Sequence, residues 1–343
     1  MPQSIANFAN FICRFGDEHV LLDYLVEIVT PAFTNDKYVR TFGRTTNFHF
    51  YEVEIVTLDE TSDPPVKAIA GKFIKDTELT RHQVFDSVKG LVQDEQRMRS
   101  SPSAFFILIL NNHRLIYFPE TPHAPTLSEF KATAEYFLRL AHKSYIDELY
   151  YKAKATRDAE PGGKTQTPRT TKKQLYDLIE RPLVELVPLT AAEGVRAFIE
   201  RYETLKTINF RLIKPNPDID AGEIFSQFRE LTNNLNGNRA SVTVSNSKEG
   251  LDIKTAIDTV AKATTSGNQD IALNGVDHSG NTLKGSNEHF QISVPIEDAP
   301  QTKKGLIDRL YEAFTSLTAS GDIALPQISE TDAENIRRSI GML

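Results

Sequence analysis

The chain of 343 residues has one cysteine, no tryptophan and three methionines. The lone thiol, Cys13, can neither staple the chain internally nor build a thiolate metal cluster, which points to a reducing compartment and a cytoplasmic address. It lies among Phe11, Ile12 and Phe15 and reads as a buried structural residue rather than a nucleophile. No apolar run approaches the roughly 18 residues of a membrane span; the longest, Ala104 to Leu110, has the length of a buried strand. The first residues lack the basic patch and apolar core of a signal peptide, and Asp17 and Glu18 interrupt the region where that core would lie. An excess of positive charge is also missing. The net charge of −7 gives no global electrostatic case for binding nucleic acid.

The charge that is present is unevenly placed. Residues 1–150 carry 15 basic and 20 acidic side chains, residues 151–173 carry 7 and 2, and residues 174–343 carry 17 and 24. Residues 152–173 also lack any large apolar side chain and contain Pro161-Gly162-Gly163 and Pro168. Such a segment buries too little surface to offset its ordering entropy. The expectation is an N-terminal domain over 1–151, a basic flexible linker over 152–173 and a C-terminal domain over 174–343.

Periodicity suggests the elements. Val20, Leu21, Tyr24, Leu25 and Ile28 recur at helical spacing until Pro31, whereas Phe48 to Leu58 alternates like a half-buried strand. Val66 to Ile74 returns as a second strand, and Gln83 to Arg99 reads as a helical or irregular excursion. Ala104–Leu110 and Leu115–Phe118 flank Asn111-Asn112-His113-Arg114, a β-hairpin because Asn tolerates positive φ. Thr126 and Glu129 have capping-box spacing ahead of a long amphipathic helix carrying Phe130, Ala134, Phe137, Leu138, Ala141, Tyr145 and Leu149. Beyond residue 174 helices and strands alternate, with further capping-box spacing at Thr190–Glu193 and Thr331–Glu334. The fold class is α+β, two domains each with a largely antiparallel sheet and packed helices; a ferredoxin-like second domain fits the alternation.

Catalytic motifs fail at named positions. Gly162-Gly163-Lys164-Thr165 has the end of a P-loop, but Asp158 stands where its first glycine belongs. None of the eight histidines forms H-x-H, H-E-x-x-H or an i, i+4 pair, and Asp277-His278 sits in a turn-like stretch. Glu52, Glu54 and Asp59 with Lys72 or Lys75 could serve a magnesium-dependent nuclease. Yet Ala70 and Phe73 occupy the acidic position of (D/E)-x-K. Arg44 and His49 have R-x4-H spacing on a strand-like stretch, where their side chains would not converge. G-x-S-x-G is missing.

Two groups remain as binding candidates: the hairpin turn Asn112, His113 and Arg114, and the linker cations Lys152, Lys154, Arg157, Lys164, Arg169, Lys172 and Lys173. The cations suit polyanion contact by counterion release, but no aromatic lies between Tyr151 and Tyr176 to stack a base. Gly71 to Asp76, Ser101 to Tyr117, Ala124 to Leu127 and Gly275 to Gly280 resemble segments of a family of bacterial proteins of unknown function and similar length. The resemblance implies a mobile-element or phage-defence setting and carries no catalytic residue. Together these features suggest a non-catalytic binding or assembly protein, without cofactor, recognising nucleic acid or a protein partner in an anti-phage setting. Homo-oligomerisation stays open, no membrane partner is expected, and a divergent magnesium-dependent nuclease is the alternative.

Overall fold

The computed structural model describes residues 4–158, 169–214, 225–235, 237, 239–264, 267–326 and 330–342. In chain order, β1 (Ser4–Phe15) and β2 (His19–Val20) lead through 3-10 and π turns into α1 (Thr30–Thr34). The strands β3 (Arg40–Phe42), β4 (Thr46–Asp59), β5 (Val66–Asp86), β6 (Gly90–Ser100), β7 (Ser103–Ile109) and β8 (Arg114–Pro119) precede α2 (Leu127–Asp158) and α3 (Lys172–Leu178). Next come β9 (Pro182–Pro188), α4 (Ala192–Ile199), β10 (Tyr202–Leu212), α5 (Ser226–Asn234), β11 (Ala240–Ser245) and α6 (Ile253–Thr264). Strands β12 (Gln269–Asp277), β13 (Thr282–Ser286) and β14 (Ser293–Ile296), then α7 (Lys303–Ala319) and α8 (Glu330–Gly341), complete the described elements. The architecture is α+β, with antiparallel sheets of ten and four strands among the described residues.

The larger sheet runs β14-β1-β8-β7-β5-β4-β3, with β2 and β9 also on β1 and β6 on β5. Its central strands are covered on both faces, which is why Ala104–Leu110 reads as an unbroken apolar run. Ala104, Phe106, Leu108 and Leu110 enter one core with Phe11, Cys13 and Phe15, beneath Phe130, Phe137 and Leu138 of α2. Phe105, Ile107 and Ile109 enter the other with Phe8, Leu306, Leu310 and Phe314. The predicted cap of α2 forms: Thr126 N donates to Glu129 Oε2 at 2.7 Å and Glu129 N to Thr126 Oγ1 at 3.2 Å.

The expected split at 152–173 does not coincide with the division between the sheets. Strand β9 pairs with β1 from Ala9↔Pro188 to Phe15↔Pro182, and β14 pairs with it from Ser4↔Ile296 to Asn7↔Ser293. Helices α7 and α8 cover the same sheet's two cores. The cause is β1 itself, whose 12 residues leave enough edge for one strand from the middle of the chain and one from its last quarter. The smaller sheet, β11-β10-β12-β13, places β10 between β11 and β12. Together with α6 these make one split β-α-β unit, half of a ferredoxin-like arrangement. The sheets meet at a polar seam where buried Asn10 Nδ2 donates to Gly267 O and Asn268 Oδ1, both at 3.1 Å.

Two local expectations are corrected. Thr190 is not an N-cap: α4 starts after Ala191 without a side-chain cap, and Thr190 bridges to Gln291 instead. Residues 83–99 are not a helical excursion. They complete a long hairpin in which β5 continues to Asp86 and β6 returns from Gly90, closed by Asp86 Oδ1 accepting Val88 N and Lys89 N at 2.8 Å and by Gly90 at φ +75°.

Candidate functional site

The Asn112–Arg114 turn is structural in its surroundings. His113 and Arg114 are buried, and His113 takes a positive φ of 56° while its carbonyl accepts Phe11 N at 2.9 Å. Asn112 Oδ1 caps the turn by accepting Arg114 N at 3.1 Å, and Asn111 ties it to Lys67 N and Pro65 O. One Arg114 nitrogen donates to Ala324 O at 3.0 Å, whereas Nε and Nη1 have no partner among the described residues. Burial lowers the Arg114 pKa to about 10, so the group stays charged at neutral pH. Nothing in this turn reaches a cleft or an open surface except Asn112, which is half-buried.

The basic segment is divided. Lys152, Lys154 and Arg157 ride the last turns of α2, which continues to Asp158. Lys172 and Lys173 open α3, where Thr171 and Gln174 form a capping box that the linker reading missed. Arg169 is exposed, and Lys164 lies outside the described residues. Several cations are already engaged: Arg157 pairs with Asp158 at 3.0 Å, and Lys172 pairs with Asp147 and lies over the Tyr150 and Tyr151 rings. Lys152, Lys154 and Lys173 face solvent.

The nuclease candidates are split between faces. Lys72 pairs with Glu120 at 3.1 Å and Lys303 with Glu54 at 2.8 Å beside a cleft of about 1040 Å³, whose walls include Glu52, Asp298, Phe105 and Leu306. A bulge of β4 at residues 52–53 shapes this wall. It requires Gly71, where a Cβ would stand 2.6 Å from Val53 Cγ2 and 2.8 Å from Val53 Cα. Glu52 and Asp298, both at positive φ, border the same cleft. Lys75 instead pairs with Glu129 at 2.7 Å on the α2 side, and Asp59 is held in a turn by Thr61 and Ser62. Among the described residues no three His, Cys, Asp or Glu side chains are grouped to hold a metal ion. Asp277-His278 forms the β12–β13 turn, with Asp277 Oδ1 accepting Ser279 N and Asn281 N at 2.9 Å.

The feature that sequence reasoning missed is the hairpin arm over residues 77–100. Strand β5 pairs with β4 only as far as Asp76 and with β7 only as far as Ile74. Beyond them, among the described residues, β5 and β6 pair only with each other, and no arm residue belongs to a buried cluster. The root is pinned by Arg99 and Ser101, which donate to Asp76 at 2.9 and 3.1 Å; the Arg99 guanidinium, ahead of Ser101, holds the Asp76 carboxyl below its ordinary pKa. Large apolar side chains are left in solvent: Leu79 is 44% exposed, Phe85 77%, Val88 91%, Leu91 68% and Met98 63%. The available signal was Asp86-Ser87-Val88-Lys89-Gly90, a hairpin turn with a terminal glycine. No helix among the described residues is long and apolar enough to cross a membrane. No protein-family model matches the chain, and no curated protein matches it.

Proposed function

We propose that this chain is a non-catalytic binding or assembly protein that recognises a protein partner through the 77–100 arm. The observation that carries the reading is the arm's five exposed apolar side chains on a ribbon that no other described element covers. An isolated two-stranded hairpin is marginal in water, and apolar side chains clustered at such a place mark interaction surfaces. Nucleic acid is the weaker partner. Glu78, Asp86, Asp94 and Glu95 balance Arg81, Lys89, Arg97 and Arg99 in the arm, so its phosphate attraction is small.

A benzophenone attached at V88C tests the reading in cells of the native host. Adducts with protein are expected, and they should vanish in F85S/L91S. Cross-links that persist in that variant would sink the reading. So would a DNA or RNA complex that ignores the arm but is lost when Lys152, Lys154, Arg169, Lys172 and Lys173 become Ser; that outcome favours the basic segment. Cleavage of plasmid or RNA that requires Mg²⁺ and Lys72 would instead favour the nuclease alternative at the cleft.

A further inference from the structure

The arm carries a pattern that identifies its partner. From root to tip, the register on one ribbon face runs Leu79–Met98, Arg81–Gln96, Gln83–Gln93 and Phe85–Leu91. Regular alternation along β5 keeps these pairs on one face, because the extra residue at the register shift lies in β6, between Gln93 and Gln96. Beyond the Thr77–Ser100 pair at the root, both strands therefore read apolar, polar, polar, apolar. Such a face is unchanged when the ribbon is turned end over end, and a twofold dimer needs a surface that matches itself after a half-turn. The opposite face lacks this property: Glu78–Arg99 and Thr80–Arg97 lie toward the root, and Val84–Val92 toward the tip.

Charge points the same way. The arm's four acidic and four basic side chains cancel, whereas the whole chain carries −7. Two arms therefore approach without the repulsion that opposes contact between two acidic bodies.

We propose that the chain forms a twofold dimer in which the arms of two copies pack antiparallel, Leu79 and Met98 of one copy lying on Phe85 and Leu91 of the other. The proposal rests on the arm being the recognition element and names a second copy as what covers it. The axis passes near His82, so Arg81 faces Gln83 of the second copy and the polar middle remains matched. Packed ribbon faces lie about 10 Å apart, and a strand advances about 3.3 Å per residue. Positions near the axis are then close across the dimer, whereas the two tips are far apart.

Spin labels on the full chain test this directly, since Cys13 is fully buried and an introduced thiol is the one that reacts. A label at Q83C should give dipolar broadening from a partner within about 20 Å, and a label at V88C a distance of about 40 Å. F85S/L91S should abolish both signals. A short V88C distance would overturn the antiparallel arrangement, and no coupling at either position would overturn the dimer. If coupling is missing while V88C still cross-links to another protein through Phe85 and Leu91, the second copy is wrong and the binding reading stands. If the coupling and the V88C cross-link are both missing, both readings fail.

Discussion

Arg114 sets the clearest problem at the scale of single residues. Its guanidinium is buried with one carbonyl partner and two nitrogens unpaired among the described residues, an arrangement in which desolvation outweighs what these contacts return. Arg114→Met should therefore be neutral or stabilising by about 1–3 kcal/mol, read from urea denaturation. A loss of stability would show that the charge has a structural role its contacts do not reveal. His142 makes a second prediction. Burial, opposed by its 2.8 Å bond to Ile179 O, lowers its pKa from the ordinary 6.5, and burial lowers that of His49 as well. The unfolded chain then binds more protons than the folded one between the folded pKa and 6.5, so stability rises with pH through that window. It is fully present above the unfolded value and declines as pH falls below it. In H49Q/H142Q the slope of unfolding free energy against pH should flatten in this range, and an unchanged slope would assign it to carboxylates.

Among the elements, α2 was legible because its cap and its apolar stripe agree. Thr126→Ala should cost about 1 kcal/mol, measured by thermal or urea unfolding, since it removes the acceptor for Glu129 N. The bulged β4 wall depends on Gly71, and Gly71→Ala should cost about 1–3 kcal/mol because Val53 backbone, and not merely a side-chain end, stands in the way. Strand β1 escaped the periodicity reading because both of its faces are covered: Ala6 and Phe8 serve one core, Phe11, Cys13 and Phe15 the other. Alternation vanishes in such a strand. The far half of the β5–β6 hairpin escaped for the opposite reason, since among the described residues it packs against no other element and its polar residues look like a loop. Only the Asp86–Gly90 turn and the matching Phe85–Leu91 and Leu79–Met98 pairs mark it as paired strands.

Over the whole molecule, periodicity and the order of elements pointed to the α+β class and composition to the likeness of the linker region to a boundary, but neither carried information on which strands share a sheet. Pairing of β1 with β9 and β14 joins residues separated by about half of the chain and by most of it, and single-strand patterns do not encode such partners. The Asn112–His113–Arg114 turn looked available because its residues are polar; His113 and Arg114 are buried because β1 passes directly beside the turn, Phe11 N donating to His113 O. The arm inverts that error, being apolar yet open to solvent. Because Phe85 and Leu91 touch no core within one chain, F85S/L91S should shift unfolding free energy by no more than about 0.5 kcal/mol at concentrations low enough for the chain to be monomeric, which separates an interaction defect from a folding defect.

The central claim is that two copies join arm to arm, and sedimentation velocity across the micromolar range tests it most directly. The full chain should move from the mass of one chain toward that of two as concentration rises, while F85S/L91S keeps the mass of one. A full chain that stays monomeric throughout, or a variant that associates as the native chain does, would contradict it.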